Sequence, residues 1–186
     1  MRVTTYIEPV DDLVSQRQLL CYWNRCWREA GFNPRVLTPN NILDTARNPM
    51  AQMEAMTKLS GVSGRLFRRW WLENDAQPFL MVEPNVLPNC TPDQVPDIAR
   101  ITRFSTHNSC VVGMTDFGIA RRMLCTEPML KPPFNDMDVL VSKIFGTVGG
   151  ITTANRTRKH DEPAEGALFV EWPPELLLEQ RKESFA

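Results

Sequence analysis

Phe79-Leu80-Met81-Val82-Glu83-Pro84-Asn85-Val86-Leu87-Pro88 is the stretch that decides the fold. Four apolar residues run without alternation, the pattern of a strand buried on both faces. The run then breaks at an acid, a proline, an amide and a second proline. In an open α/β sheet, ligands bind where such strands end. Glu83 and Asn85, two residues apart on a turn, are expected to point the same way, at a cation or a phosphate-bound metal. The plainer alternative is a capped strand followed by a Pro-stiffened loop.

Working outward, residues 2–8 are β-branched and aromatic with rough alternation and read as a strand. Ser15-Gln16-Arg17-Gln18 matches a capping box. The helix it opens places Leu19, Leu20, Trp23, Cys26, Trp27 and Ala30 on one stripe, and Gly31 closes it. Arg35-Val36-Leu37 is a second strand, so the chain opens as a βαβ unit and implies a parallel sheet. A short helical turn is expected over 42–49, and residues 50–59 read as a helix or an adaptable packing segment.

A clear helix is expected over 63–74, with Leu66, Phe67, Trp70 and Trp71 inward and Arg65, Arg68 and Arg69 on a positive side. A solvated face explains most of these arginines, but one is suited to bidentate phosphate contact. Beyond the central stretch, Pro92 and Pro96 leave room for only a short helix or turn. Residues 101–104 and 109–113 read as a hairpin. Helices follow from Asp116 and Asn135. Residues 146–166 are polar and aperiodic and read as a mobile loop or lid; their basic run, Arg156 to Lys159, is either solvated or an anion clamp. A final strand over 167–171 and a helix over 174–182, with Pro in its first turn, complete the chain.

With 186 residues, 42% hydrophobic, the chain has enough material for one domain with a true core, taken as 1–186. A net charge of −1 gives no global attraction to nucleic acid or to an anionic membrane. No apolar run approaches the ~20 residues of a membrane span. The start of the chain lacks a signal pattern, so a cytoplasmic protein is expected. Cys21, Cys26, Cys90, Cys110 and Cys125 form no CxxC pair and read as buried reduced thiols.

Several of these residues stand in a familiar order. Gln16, Trp23, Trp27, Gly31-Phe32, Val36-Leu37 and Asn48-Pro49 resemble the opening of small glycosyltransferase-like proteins, many of them encoded by bacteriophages. Arg69-Trp70 resembles the family's Arg-Trp before the central strand, and Glu83-Pro84-Asn85-Val86-Leu87-Pro88 its Asp-Tyr-Asp-Val-x-Pro. Asn135-Asp136-Met137 resembles its Ser-Asp-Met. The likeness spans residues 3–145.

The resemblance implies a GT-A nucleotide-diphosphosugar transferase fold, α/β, with a mostly parallel central sheet flanked by helices. It implies that Glu83 and Asn85 hold Mn²⁺ or Mg²⁺ against the donor's diphosphate, with Arg68 and Arg69 on the phosphates and Asp136 as a catalytic acid. The Asp-x-Asp is degenerate here: Glu83 keeps a carboxylate one methylene further out, and Asn85 offers only a neutral amide oxygen. The family's His-Pro turn has Asn48 in place of histidine, and its Gly-Trp is Gly31-Phe32.

The expected function is therefore transfer of a sugar from a nucleotide-sugar donor. For a phage-encoded enzyme acting in the host cytoplasm, the acceptor is a hydroxymethylated base in DNA, with Arg121, Arg122 and the 156–159 run as its groove, or else a glycan. The competing reading is a module of the same fold, weakened in metal binding, that engages a nucleotide or a host protein. A hydrolase is the poorest fit, because His107 and His160, the only imidazoles, lie in no nucleophile motif; His107 reads as a hairpin-loop residue and His160 as a solvated one.

Overall fold

The fold is taken from a computed structural model, which describes residues 1–7, 12–38, 78–98, 101–104, 111–114, 152–153, 156–162 and 165–183. The helices expected over 42–49, 50–59, 63–74, and from Asp116 and Asn135, lie outside these residues, as do Arg68, Arg69 and Asp136.

The opening βαβ unit forms as its pattern dictates. Strand β1 (Arg2–Tyr6) leads to helix α1 (Leu13–Glu29), which returns the chain to β2 (Asn33–Leu37). The two strands pair in parallel, Arg2 opposite Asn33 through Tyr6 opposite Leu37. The helix begins earlier than the Ser15 capping box implies. Asp12 is the cap, and its carboxylate accepts from the Ser15 backbone N–H at 3.0 Å. Asp caps as well as Ser and adds a negative charge at the positive end of the helix dipole, so the earlier start wins. At the other end Gly31, at φ 89°, takes the left-handed turn that a side chain would strain.

Strand β3 (Phe79–Val82) is buried at every residue, as an unbroken apolar run requires. It lies inside a six-stranded sheet ordered β2-β1-β3-β6-β5-β7, with β5 (Ile101–Arg103), β6 (Val111–Met114) and β7 (Thr152–Thr153) completing it. The expected hairpin is present as the antiparallel β5–β6 pair. The sheet is mixed. The β1–β2, β1–β3 and β5–β7 pairs are parallel, and β3–β6 and β5–β6 are antiparallel.

The segment after Val82 is more than a stiff loop. Glu83 leaves the sheet, Pro84-Asn85 make a turn closed by the Val86 N–H donating to the Glu83 carbonyl at 3.1 Å, and β4 (Val86–Pro88) follows. That strand belongs to a second sheet, ordered β4-β9-β8, with β8 (Thr157–Lys159) and β9 (Phe169–Glu171). A single turn therefore carries the chain from one sheet to the other.

The loop expected over 146–166 holds both β7 and β8. The Phe104 carbonyl accepts from the Arg156 and Thr157 N–H groups, each at 2.9 Å, and the Arg156 carbonyl from Leu168 at 2.8 Å. The β-branched Thr152, Thr153 and Thr157 favour extended backbone in an otherwise polar tract. Of its basic run, the Arg156 guanidinium donates to the Gly166 carbonyl at 3.2 Å, closing the segment on itself.

Aromatic rings knit the two sheets to α1. Trp23 and Trp27 are fully buried, 5.9 Å apart. Trp27 stands 4.9 Å from Phe32 and 6.0 Å from Phe169, and Phe169 is 5.3 Å from Phe104. Together such rings contribute large apolar burial plus ~0.5–1.5 kcal/mol per well-oriented pair. Helix α2 (Pro174–Glu183), opened by its proline, adds Leu177 to the same core. No helix of the described residues is long and apolar enough to cross a membrane.

Candidate functional site

The turn that joins the sheets opens onto a cleft of about 330 Å³, within the ~300–1,000 Å³ usual for small ligands. Among the described residues three segments line it: Asn85 from the turn, Lys159, His160 and Asp161 from the end of β8, and Glu171, Trp172 and Pro173 from the end of β9. The sheet order explains this convergence. In β4-β9-β8, β9 is central, and the ladder that pairs Val86 with Glu171 and Lys159 with Glu171 brings all three strand ends to one rim.

Asn85 and Trp172 continue the β4–β9 ladder by one residue. The Trp172 N–H donates to the Asn85 carbonyl at 2.9 Å, and the Asn85 Nδ2 donates to the Trp172 carbonyl, also at 2.9 Å. The amide's NH₂ is thus fixed on the backbone, leaving the side-chain oxygen as Asn85's remaining polar atom.

His160 closes the opposite wall. Its backbone N–H donates to the Glu171 carbonyl at 2.9 Å, and its ring centroid lies 5.3 Å from that of Trp172, tilted by 35°. Its Nδ1 is 3.9 Å from the Asp161 carboxylate. The turn beneath is fixed by Glu162, whose carboxylate accepts from the Lys159 N–H at 3.0 Å and whose own N–H donates to the Lys159 carbonyl at 3.1 Å.

Glu83 and Asn85 differ in burial. Asn85 lines the cleft, whereas Glu83 is buried at 5% exposure and is not among the residues of its wall. Glu83 is thus not a solvent-facing residue at the strand end, and the turn closed onto its carbonyl carries the chain to Asn85. Among the described residues no group of three His, Cys, Asp or Glu side chains is placed to hold a metal ion.

The residues the sequence does not single out are Glu171, Trp172 and Pro173; Lys159 belongs to the expected basic run, and His160 reads as solvated. His160 is half-buried against an indole instead. A readable signal was a histidine and an aspartate in succession, with Trp-Pro-Pro directly after the last strand.

No family model matches the sequence, and no curated protein matches it significantly. Solved structures do match. The galactosyltransferase LgtC, crystallised in complex with donor and acceptor sugar analogs, aligns over 98% of this chain and 96% of its own, with a TM-score of 0.59 at 11% identity. An active-site Gln-to-Glu mutant of LgtC aligns over the same shares, with a TM-score of 0.58 at 13% identity. At that identity the likeness speaks for architecture alone, and the architecture this chain shares with LgtC is the GT-A fold.

Proposed function

We propose that the chain is a glycosyltransferase, which moves a sugar from a nucleotide-diphosphosugar donor to an acceptor. The observation that carries this reading is the position of the cleft. It opens at the turn where central strand β3 ends, within a fold like that of a galactosyltransferase. Strand ends of this kind are where α/β sheets take ligands.

In this reading the cleft orients one substrate against the other, and most of the rate enhancement comes from holding the pair in reacting geometry. Arg68 and Arg69 are assigned to the donor's diphosphate, and Asp136 to the reacting centre, on the family resemblance alone. Mn²⁺ or Mg²⁺ would add charge at the leaving diphosphate.

The test is a thermal-shift series with UDP-galactose and UDP-glucose, with and without Mn²⁺, paired with an assay for UDP release. A ligand of the native state raises stability by RT ln(1 + [L]/Kd), ~2.7 kcal/mol at 100 times Kd. A shift together with UDP release supports the transferase. The absence of both a shift and UDP release with either donor overturns it.

A second reading rests on the burial of Glu83 and the neutrality of Asn85, which leave the motif short of charge. It is a binding module that engages a nucleotide or a host protein through the same cleft. A nucleotide-induced shift without UDP release selects it.

A further inference from the structure

Strand β2 stands at the rim of the six-stranded sheet, and no other described strand pairs with its outer side. We infer that Pro34 bars this rim to a second copy of the chain, which would otherwise add its own strand there. β2 does not line the cleft, so the barrier stands or falls apart from the transferase reading.

The phase of the ladder carries it. The Asn33 N–H donates to the Met1 carbonyl at 2.9 Å, and the Ile7 N–H donates to the Leu37 carbonyl at 3.0 Å. With Arg2 opposite Asn33 and Tyr6 opposite Leu37, these bonds fix which groups face β1. Alternate residues of a paired strand bond inward. Asn33, Arg35 and Leu37 therefore turn their N–H and C=O groups to β1, and Pro34 and Val36 turn theirs outward. An added strand bonds to the outward groups. Proline has no N–H, so Val36 holds the one outward donor of β2. The proline costs β2 nothing in its own pairing, because residue 34 makes no bond to β1. Asn33 and Arg35 are exposed and Val36 is half-buried, which places this rim at the surface.

The smaller sheet is bounded in the same way. In β4 the Asn85 carbonyl and the Asn89 N–H bond across the ladder to Trp172 and Leu168, which leaves Val86 and Pro88 facing outward. Both groups of Val86 are covered. Its N–H donates to the Glu83 carbonyl at 3.1 Å, and its carbonyl accepts from the Trp27 indole at 3.1 Å. The other outward position is again a proline. On β8 the Thr157 N–H donates to the Phe104 carbonyl at 2.9 Å, and Glu162 holds both backbone groups of Lys159, at 3.0 and 3.1 Å. Both prolines of the described strands thus stand where an approaching strand needs a donor. β4 and β8 are also covered by the chain's own bonds. Among the described residues no such bond covers Val36, so at β2 the missing donor is itself the barrier.

The experiment uses the full chain. Hydrogen exchange of the wild type, read by NMR, should show the Val36 amide exchanging roughly a hundredfold or more faster than those of Arg35 and Leu37. Pro34→Val and Pro34→Ala each restore the outward donor, and valine also favours a strand. Size-exclusion chromatography with light scattering follows their mass from micromolar to millimolar protein. Both variants should gain at least the mass of one further copy over the wild type at the upper end. Pro34→Val combined with Val36→Pro returns β2 to a single outward donor and should return the mass to the wild-type value. Far-UV circular dichroism checks that each variant keeps its fold.

A Val36 amide as protected as its neighbours overturns the inference, because the rim is then already covered. So does a folded Pro34→Val or Pro34→Ala that stays at the wild-type mass. Association that persists when the proline is moved to position 36 overturns it as well, since the donor count is then not what matters. Where one variant loses its fold, the other variant and the exchange pattern of the wild type decide.

Discussion

Asn85 and Trp172 hold each other by two hydrogen bonds of 2.9 Å, one donated by each residue, and this pair joins the turn after β3 to the end of β9. The amide's role is thereby structural as well as positional. It fixes the indole that walls the cleft, which a carboxylate at the same place would not do.

Asn85→Asp is therefore expected to destabilise the protein, although it restores the Asp of the resembled motif. The substitution replaces a donor with an oxygen that faces the Trp172 carbonyl. An unsatisfied or opposed polar pair that is partly buried costs ~1–3 kcal/mol. Urea denaturation of the two proteins at neutral pH checks this, and equal midpoints would show that the side chain is not held as described.

Glu83→Ala is expected to reduce stability as well. An exposed acid at a strand end would be replaced within about ±0.5 kcal/mol. Glu83 is buried at 5% exposure and has partners, and removing one member of a buried polar pair costs ~1–3 kcal/mol. Glu83→Gln, which keeps the shape, should lose less. Thermal and urea unfolding of both variants decides between a buried structural acid and an exposed ligand.

Trp27 reaches the site through its nitrogen. Its Nε1 donates to the Val86 carbonyl at 3.1 Å, one residue beyond Asn85, while its ring packs on Phe32 and Phe169. Trp27→Phe keeps most of the apolar contact and deletes the donor. The expected loss is ~1–3 kcal/mol for the orphaned buried carbonyl. Amide exchange should rise at Val86 and its β9 partner Glu171 more than in β1 and β2.

The cysteines give a pH-dependent signature. Burial, with a smaller contribution from the nearby Asp93 charge, pushes the Cys90 thiol up from 9.0 to about 11. A thiol whose folded value is raised contributes stability in full below the unfolded value, and that contribution is lost as pH rises from about 9 through about 11. Cys90→Ala should flatten the alkaline fall in stability over that window. Iodoacetamide labelling of the native protein at mildly alkaline pH should modify the exposed Cys21 and spare Cys90, as peptide mass spectrometry would show.

The elements that could be read without coordinates were those fixed by local pattern. The apolar run from Phe79 to Val82, the Trp23–Trp27 stripe, Gly31 and the hairpin around β5 and β6 each carry their own signal. The start of α1 was missed by three residues because two competent caps, Asp12 and Ser15, lie within one turn. The tract containing β7 and β8 reads as a loop because strands of two and three residues have no period to detect, and β7 pairs with the distant β5.

The sequence by itself determined the βαβ opening, the central buried strand and the acid-proline-amide turn after it, because backbone preference and hydrophobic period act over neighbouring residues. The tertiary structure alone decided which side chains share the cleft. Asn85 meets His160 and Trp172 only through a second sheet in which β4 pairs with the distant β9, Val86 opposite Glu171, and Glu83, two positions from Asn85, is buried. Such proximity is set by strand register and side-chain direction, which no local stretch of chain encodes.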